Sequence, residues 1–141
     1  MNTPESLSGV LAGRHAVVTG GGTGVGAAIA LALAAAKAST CLVGRRLMLL
    51  QAVATSARAR GAEAVCYTAD LASESSQLDL VQRLMRDLPY LDILVQNAAM
   101  HVSGPIDRAG LEDFDRHYRT NVRAPYALTK ALLPMLKSMS S

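Results

Sequence analysis

Thr19-Gly20-Gly21-Gly22-Thr23-Gly24-Val25-Gly26 is the stretch on which the reading of this sequence turns. An apolar run, Ala16-Val17-Val18, precedes it, and an alanine- and leucine-rich segment, Ala27 to Ala36, follows. Strand, glycine turn and helix is the physical reading. Glycines at 20, 22, 24 and 26 let the turn take positive φ and let its backbone come close to a ligand. The amides that open the helix have no partners within it, and the helix dipole adds partial positive charge there. A phosphate or pyrophosphate is the natural occupant. Gly21 to Gly26 has the glycine spacing of a P-loop, but Ala27-Ala28 stands where that loop needs Lys and Ser or Thr, which excludes it.

Outward from the turn, the chain alternates. His15 to Thr19 predicts a first strand and Gly24 to Ala36 a first helix. Thr40 to Gly44 is a continuous apolar run, as expected of a strand covered on both faces. Leu47, Leu50, Ala54 and Ala57 recur at helical spacing until Gly61. Glu63 to Ala69 predicts a third strand, closed by Asp70. Leu78, Val81, Leu84 and Leu88 predict the next helix, ended by Pro89. Leu91 to Gln96 predicts a fourth strand, and Leu111 to about Lys137 one long helix with a stripe of Phe114, Tyr118 and Val122. The order βαβαβαβα implies an α/β fold of Rossmann type in three layers, with a parallel sheet of strand order 3-2-1-4. Ligands of such sheets sit at the carboxyl ends of the strands, and Gly20–Gly26, Gly44–Arg46, Asp70–Leu71 and Asn97–Ala99 all fall at such ends. Residues 1–12 read as a polar N-terminal leader and 13–141 as one nucleotide-binding domain.

The bulk properties narrow the classes. Half of the 141 residues are hydrophobic and 18% are charged, the balance of a soluble globular α/β chain. A net charge of +3, with no basic block interleaved with aromatics, argues against nucleic acid. The longest apolar run is far short of the roughly 20 residues of a membrane span, so no membrane partner is expected. The polar start predicts no signal peptide, and Cys41 and Cys66 read as buried free thiols of a cytoplasmic protein, too few and too far apart for a metal site.

Four motifs in order then resemble the short-chain dehydrogenase/reductase family. Thr19-Gly20-x-x-x-Gly24-x-Gly26 is similar to its cofactor turn, in which Gly22, Thr23 and Val25 also fall. Asp70-Leu71 resembles its adenine-binding pair, and Gln96-Asn97-Ala98-Ala99 resembles its Asn-Asn-Ala-Gly motif. Asn121 stands where the family has an active-site asparagine. The resemblance runs from about Leu11 to Lys137. It implies an oxidoreductase that moves hydride between a nicotinamide and a carbonyl or alcohol. It implies that Asp70 offers its carboxylate to the adenine amino group, that the Leu71 backbone meets the ring edge, and that Asn97 and Ala98 border a ribose. It also implies a homo-oligomer for the full-length form. Ala99, in place of the motif's last glycine, narrows the space beside the nicotinamide.

Cofactor choice rests on the end of the second strand. An acid there would bond a ribose 2′-hydroxyl, whereas arginine suits a 2′-phosphate. Gly44-Arg45-Arg46 has no carboxylate, and Arg45 offers a permanently charged planar fork, with Arg46 as a second donor. NADP(H) is therefore expected over NAD(H). Pro125, four residues after Asn121, has no N–H, which predicts that the Asn121 carbonyl lacks its helical donor and is free to hold a water. Family members carry a serine and a Tyr-x-x-x-Lys pair beyond the fourth helix. Tyr126-x-x-x-Lys130 has those letters but lies five residues after Asn121, so it reads as packing for Tyr126 and a surface charge for Lys130. The chain is accordingly expected to be the cofactor-binding part, truncated before the fifth strand and inactive alone. The alternatives are an NADP(H)-binding module without turnover and, more remotely, a methyltransferase-like nucleoside-cofactor binder. Lys37, where a glycine helix stop is expected, predicts a strained left-handed residue.

Overall fold

The computed structural model describes residues 8–137. Four parallel strands, β1 (His15–Thr19), β2 (Ser39–Gly44), β3 (Ala64–Thr68) and β4 (Ile93–Val95), form one sheet in the order β3-β2-β1-β4. Between them run α1 (Gly24–Ala35), α2 (Leu47–Ala59) and α3 (Glu74–Asp87), and α4 (Leu111–Tyr118) and α5 (Ala124–Lys137) follow. The central strands β1 and β2 bury nearly every residue, which is why they read as continuous apolar runs rather than alternating ones. One face of the sheet packs Val18 and Leu42 against Ala30 and Ala34 of α1 and Leu50, Ala54 and Ala57 of α2. The other packs Val17, Val43 and Tyr67 against Leu80 and Leu84 of α3 and Leu128 and Leu132 of α5. This is the expected three-layer α/β arrangement, with the expected strand order.

Small residues set the depth of α1. Gly26, Ala30 and Ala34 recur every fourth residue and are its buried positions, so its backbone lies close on the sheet. Its C-terminus closes in the double hydrogen bond expected of a left-handed stop: Lys37 N–H donates to the Ala34 carbonyl at 2.9 Å and Ala38 N–H to Leu33 at 3.0 Å. Lys37 occupies that stop at φ +73°, the only non-glycine residue with positive φ among the described residues, as its sequence position predicts. Residues 8–12, counted with the leader in the sequence, form turns fastened to the end of α1 by Leu11 N–H donating to the Ala36 carbonyl at 2.9 Å.

Four expectations need correction. β4 is three residues long rather than Leu91 to Gln96, because side chains take over the flanking groups. Asp92 turns its carboxylate onto the His15 amide and Arg14, and the Asn97 amide donates to the Thr19 hydroxyl. The stripe of α3 is rotated: Gln77, Leu80 and Leu84 are buried, with Val81 and Leu88 packed against them, and Leu78 faces solvent. The helix from Leu111 is not uniform, since Arg119–Arg123 is a π turn between α4 and α5. Ala124 N–H donates to the Arg119 carbonyl, five residues back, the register of a π turn. Finally, Tyr126 is 73% exposed and does not pack.

The two cysteines are free, Cys41 buried and Cys66 half-buried. Burial pushes the Cys41 thiol up to about 12, beyond the range in which a thiolate forms at neutral pH. Burial also raises the neighbouring Tyr67 phenol, whose hydroxyl donates to Asp87 at 2.9 Å. The Arg86 guanidinium, with Tyr67, holds the Asp87 carboxyl below its ordinary range.

Candidate functional site

The carboxyl ends of all four strands open into one cleft of about 400 Å³. Its floor is the glycine turn. Gly20 takes φ +67° and Gly24 φ +55°, conformations that a side chain resists. A β-carbon at Gly26 would run into the Gly20 carbonyl and the Asn97 amide, so α1 can start where it does only with glycine at that position. The turn is tied to its neighbours: Gly21 N–H donates to the Val43 carbonyl at 3.2 Å, and Asn97 Nδ2 to the Gly20 carbonyl at 3.3 Å.

Thr19 is 1% exposed and its hydroxyl is a three-way strut. It accepts the amides of Asn97 and Ala98, both at 3.0 Å, and donates to the Val95 carbonyl at 3.3 Å. Gly20, Gly22 and Thr23 line the cleft, whereas Thr19, Gly24, Val25 and Gly26 do not. Thr19 and Gly26 act from beneath by fixing the turn. Val25 is 70% exposed on α1.

Arg45 and Arg46 form one wall, at the end of β2. Neither side chain makes an ion pair or hydrogen bond among the described residues, so both guanidiniums are available to a ligand. Asp70 and Leu71 form the next part of the rim. The Asp70 Oδ1 accepts the Ala72 amide at 3.0 Å, a local turn, and its amide donates to the Ser76 hydroxyl at 2.9 Å. Leu71 buries its side chain, and its carbonyl accepts the buried Gln77 amide at 2.6 Å. Asn97, Ala98, Ala99 and Met100 complete the cleft on the β4 side.

Asn121 does not line the cleft. Its side chain holds both backbone groups of Met100, accepting from the amide and donating to the carbonyl, each at 2.8 Å. One helical turn earlier, His117 Nε2 accepts the Val102 amide at 2.9 Å, and its Nδ1 lies 2.6 Å from the Asp113 carbonyl. Sequence reading missed His117 and the two cleft residues of α4 and the π turn, Arg116 and Thr120. The signal was present: residues 116, 117, 120 and 121 share one face of a helix that the asparagine already placed beside the site. Tyr126 and Lys130 are exposed, and neither lines the cleft. Among the described residues no group of three or more His, Cys, Asp or Glu is placed to hold a metal ion, and no helix is long and apolar enough to cross a membrane.

The chain is similar in sequence to a short chain dehydrogenase of Pseudocercospora fijiensis, 33% identical over 94% of this chain and 44% of that one. In structure it matches a metagenomic short-chain oxidoreductase solved in complex with NADP, with a TM-score of 0.87 and 32% identity over 92% of this chain and 59% of the other. L-Sorbose reductase from Gluconobacter frateurii, solved with NADPH and L-sorbose, matches with a TM-score of 0.87 and 27% identity over 93% of this chain and 50% of the other. The chain spans about half the length of the curated relatives it matches. The family model for short chain dehydrogenases matches residues 14–141. With that match spread over strands, glycine turn and cleft alike, the chain belongs to the short-chain dehydrogenase family.

Proposed function

We propose that this chain is the cofactor-binding part of an NADP(H)-dependent oxidoreductase that transfers hydride between nicotinamide C4 and a small-molecule carbonyl or alcohol. The observation that carries the reading is the Arg45–Arg46 wall, two unpaired guanidiniums at the end of β2 with no carboxylate beside them in sequence. A 2′-phosphate supplies the anion such a pair lacks, and a bare 2′-hydroxyl does not. The fit extends along the cleft. The glycine turn and the first amides of α1 suit the pyrophosphate. The Asp70 oxygen not engaged by Ala72 suits the adenine amino group, with the Leu71 backbone at the ring edge. Asn97 and Ala98 border the ribose, and Ala99 stands nearest the nicotinamide. Asn121 keeps the place that family likeness gives it in a proton relay, with its side chain serving to fix Met100.

Calorimetric titration with NADP⁺ and NAD⁺ tests the cofactor. NADP⁺ is expected to bind more tightly, and Arg45→Ala to weaken NADP⁺ about 10- to 100-fold, the range for losing a hydrogen bond to a charged group, with NAD⁺ nearly unchanged. Equal loss for both cofactors would reject Arg45 as the phosphate reader. A second reading, a binding module without turnover, draws on the cleft itself, which has no tyrosine or lysine among its described lining residues. An NADPH-consumption assay on a panel of carbonyls separates the two. Binding without consumption favours the module.

A further inference from the structure

The loop after β4 supplies the Asn97–Met100 side of the cleft, and among the described residues two side chains from α4 and the π turn hold its backbone. One is the Asn121 clasp on Met100. The other is His117, and its chemistry is unusually well determined. A carbonyl can only accept, so the 2.6 Å contact to the Asp113 carbonyl puts the proton on Nδ1. An amide can only donate, so the 2.9 Å contact from Val102 requires a bare Nε2. Both contacts call for the same neutral tautomer. An imidazolium would keep the Asp113 bond and lose the Val102 bond, because both of its nitrogens carry protons.

We propose that His117 is a positioning residue of the cofactor site: as the neutral Nδ1–H tautomer it latches the Val102 amide, and on taking up a proton it releases the loop just beyond Met100, the last residue of the cleft's β4 side. The inference rests on the reading of that cleft as an NADP(H) site. The proton and the Val102 amide compete for one lone pair on Nε2. Latching therefore holds while Nε2 is bare and is lost when falling pH puts a proton on it. Other charged groups share the helix of His117 and the loop it latches. On α4 itself, Asp113 lies one turn before His117 and Arg116 directly precedes it. In the loop, His101 stands edge-on with ring centroids 6.1 Å apart, and Asp107 and Arg108 are its further charges. His101 makes no hydrogen bond among the described residues. The Asn121 clasp has no titrating group and holds Met100 at every pH.

The test uses the 141-residue chain and NADP⁺, which tolerates acid. Its affinity is measured from pH 8 to pH 5 for the wild type, His117→Gln, His117→Leu and His101→Gln. Glutamine can place an acceptor near the Nε2 position and does not titrate. Wild type and His101→Gln are expected to lose affinity in acid. His117→Gln is expected to match wild type at pH 8 within about twofold and to resist acid by about fivefold relative to it, the scale of one hydrogen bond. His117→Leu is expected to start about fivefold weaker and to show the shallower pH dependence of His117→Gln. Titration of the ligand's own 2′-phosphate affects all four proteins alike and cancels in the comparison. Amide hydrogen exchange gives a readout independent of ligand: Val102 should lose protection in His117→Leu and keep it in His117→Gln, with Met100 protected throughout. Parallel pH profiles for wild type and His117→Gln, or an unchanged Val102 amide in His117→Leu, would overturn the latch. A wild type that binds no NADP⁺ at pH 8 would instead overturn the cofactor reading, and the exchange experiment would still decide the latch.

Discussion

Two helices, α1 and α4, flank the same cleft and are held in opposite ways. α1 is apolar nearly all round and lies flush on the sheet through Gly26, Ala30 and Ala34. α4 has no buried residue at all. Its Leu111, Phe114 and Tyr118 are 83%, 68% and 52% exposed, and Val122 and Tyr126 continue that apolar face through the π turn into α5. What fastens α4 to the site is polar: His117 on Val102 and, just beyond its end, Asn121 on Met100. The difference teaches where each kind of substitution will register. Changes in α1 act through steric fit and appear as stability. Changes on α4 act through single hydrogen bonds or through an uncovered surface, and appear as loop order or association.

The largest expected effect breaks the α1 side. Gly26→Ala adds one methyl group, but that carbon has no room, because the Gly20 carbonyl and the Asn97 amide already occupy its position. Both obstacles belong to the turn and its ties, so the helix start, the turn and the Asn97 contact must all move. Overpacking typically costs about 1–3 kcal/mol, and a backbone obstacle puts this change at the top of that range or beyond it. Urea unfolding should show the midpoint fall accordingly. A Gly26→Ala protein of wild-type stability would mean that α1 is not held by steric fit.

The matching change on α4 should leave stability alone. Phe114→Ser removes a ring that contributes little burial, and the unfolding free energy should stay within about 0.5 kcal/mol of wild type. Its effect belongs to association. The apolar face from Phe114 to Tyr126 and the short half-buried edge strand β4 are the kinds of surface that draw a second molecule. Sedimentation velocity is expected to show self-association of the wild-type chain that Phe114→Ser reduces. A monodisperse wild-type monomer would show that this face is tolerated bare.

The same contrast explains what the sequence made legible. The α1 side was readable because its determinants are local: a glycine pattern, an apolar run and a helix stop each reveal themselves within a few residues. The strand order and the placing of Arg45, Asp70 and Asn97 at one sheet end followed from that pattern alone. The α4 side was less readable because its determinants are pairings at a distance. Nothing in the letters of residues 100–102 announces that their backbone will be held by side chains 15 to 21 positions later. The stripe Phe114, Tyr118, Val122 has true helical period, yet periodicity reports that a face is apolar, not that it is covered. The π turn was hidden for a related reason. Pro125 signals a missing donor, but whether the helix leaves a carbonyl bare or shifts register by one residue depends on what its neighbours hold in place.

The smallest expected effect tests the far end of α1, where steric fit is imperfect. Lys37 sits at φ +73°, a conformation that costs an L-residue about 1–2 kcal/mol. Its side chain gives something back. The ammonium donates to the carbonyl of Arg60, the C-cap of α2, and so places a cation beside the C-termini of two helices at once. Two substitutions separate these opposed contributions. Lys37→Ala keeps the strained φ and removes the amine, and should lower stability by about 0.5 kcal/mol, the scale of an exposed charge–dipole contact. Lys37→Gly removes both. Relief of strain then exceeds the lost contact and the greater chain entropy of glycine, for a net gain of about 0.5 kcal/mol. The difference of about 1 kcal/mol between the two variants measures the strain less the extra chain entropy of glycine, and it is read from paired urea midpoints. Were Lys37→Gly no more stable than Lys37→Ala, the left-handed stop would carry no strain beyond the entropy that glycine costs. The end of α1 would then be held, like α4, by the polar contact of a single side chain.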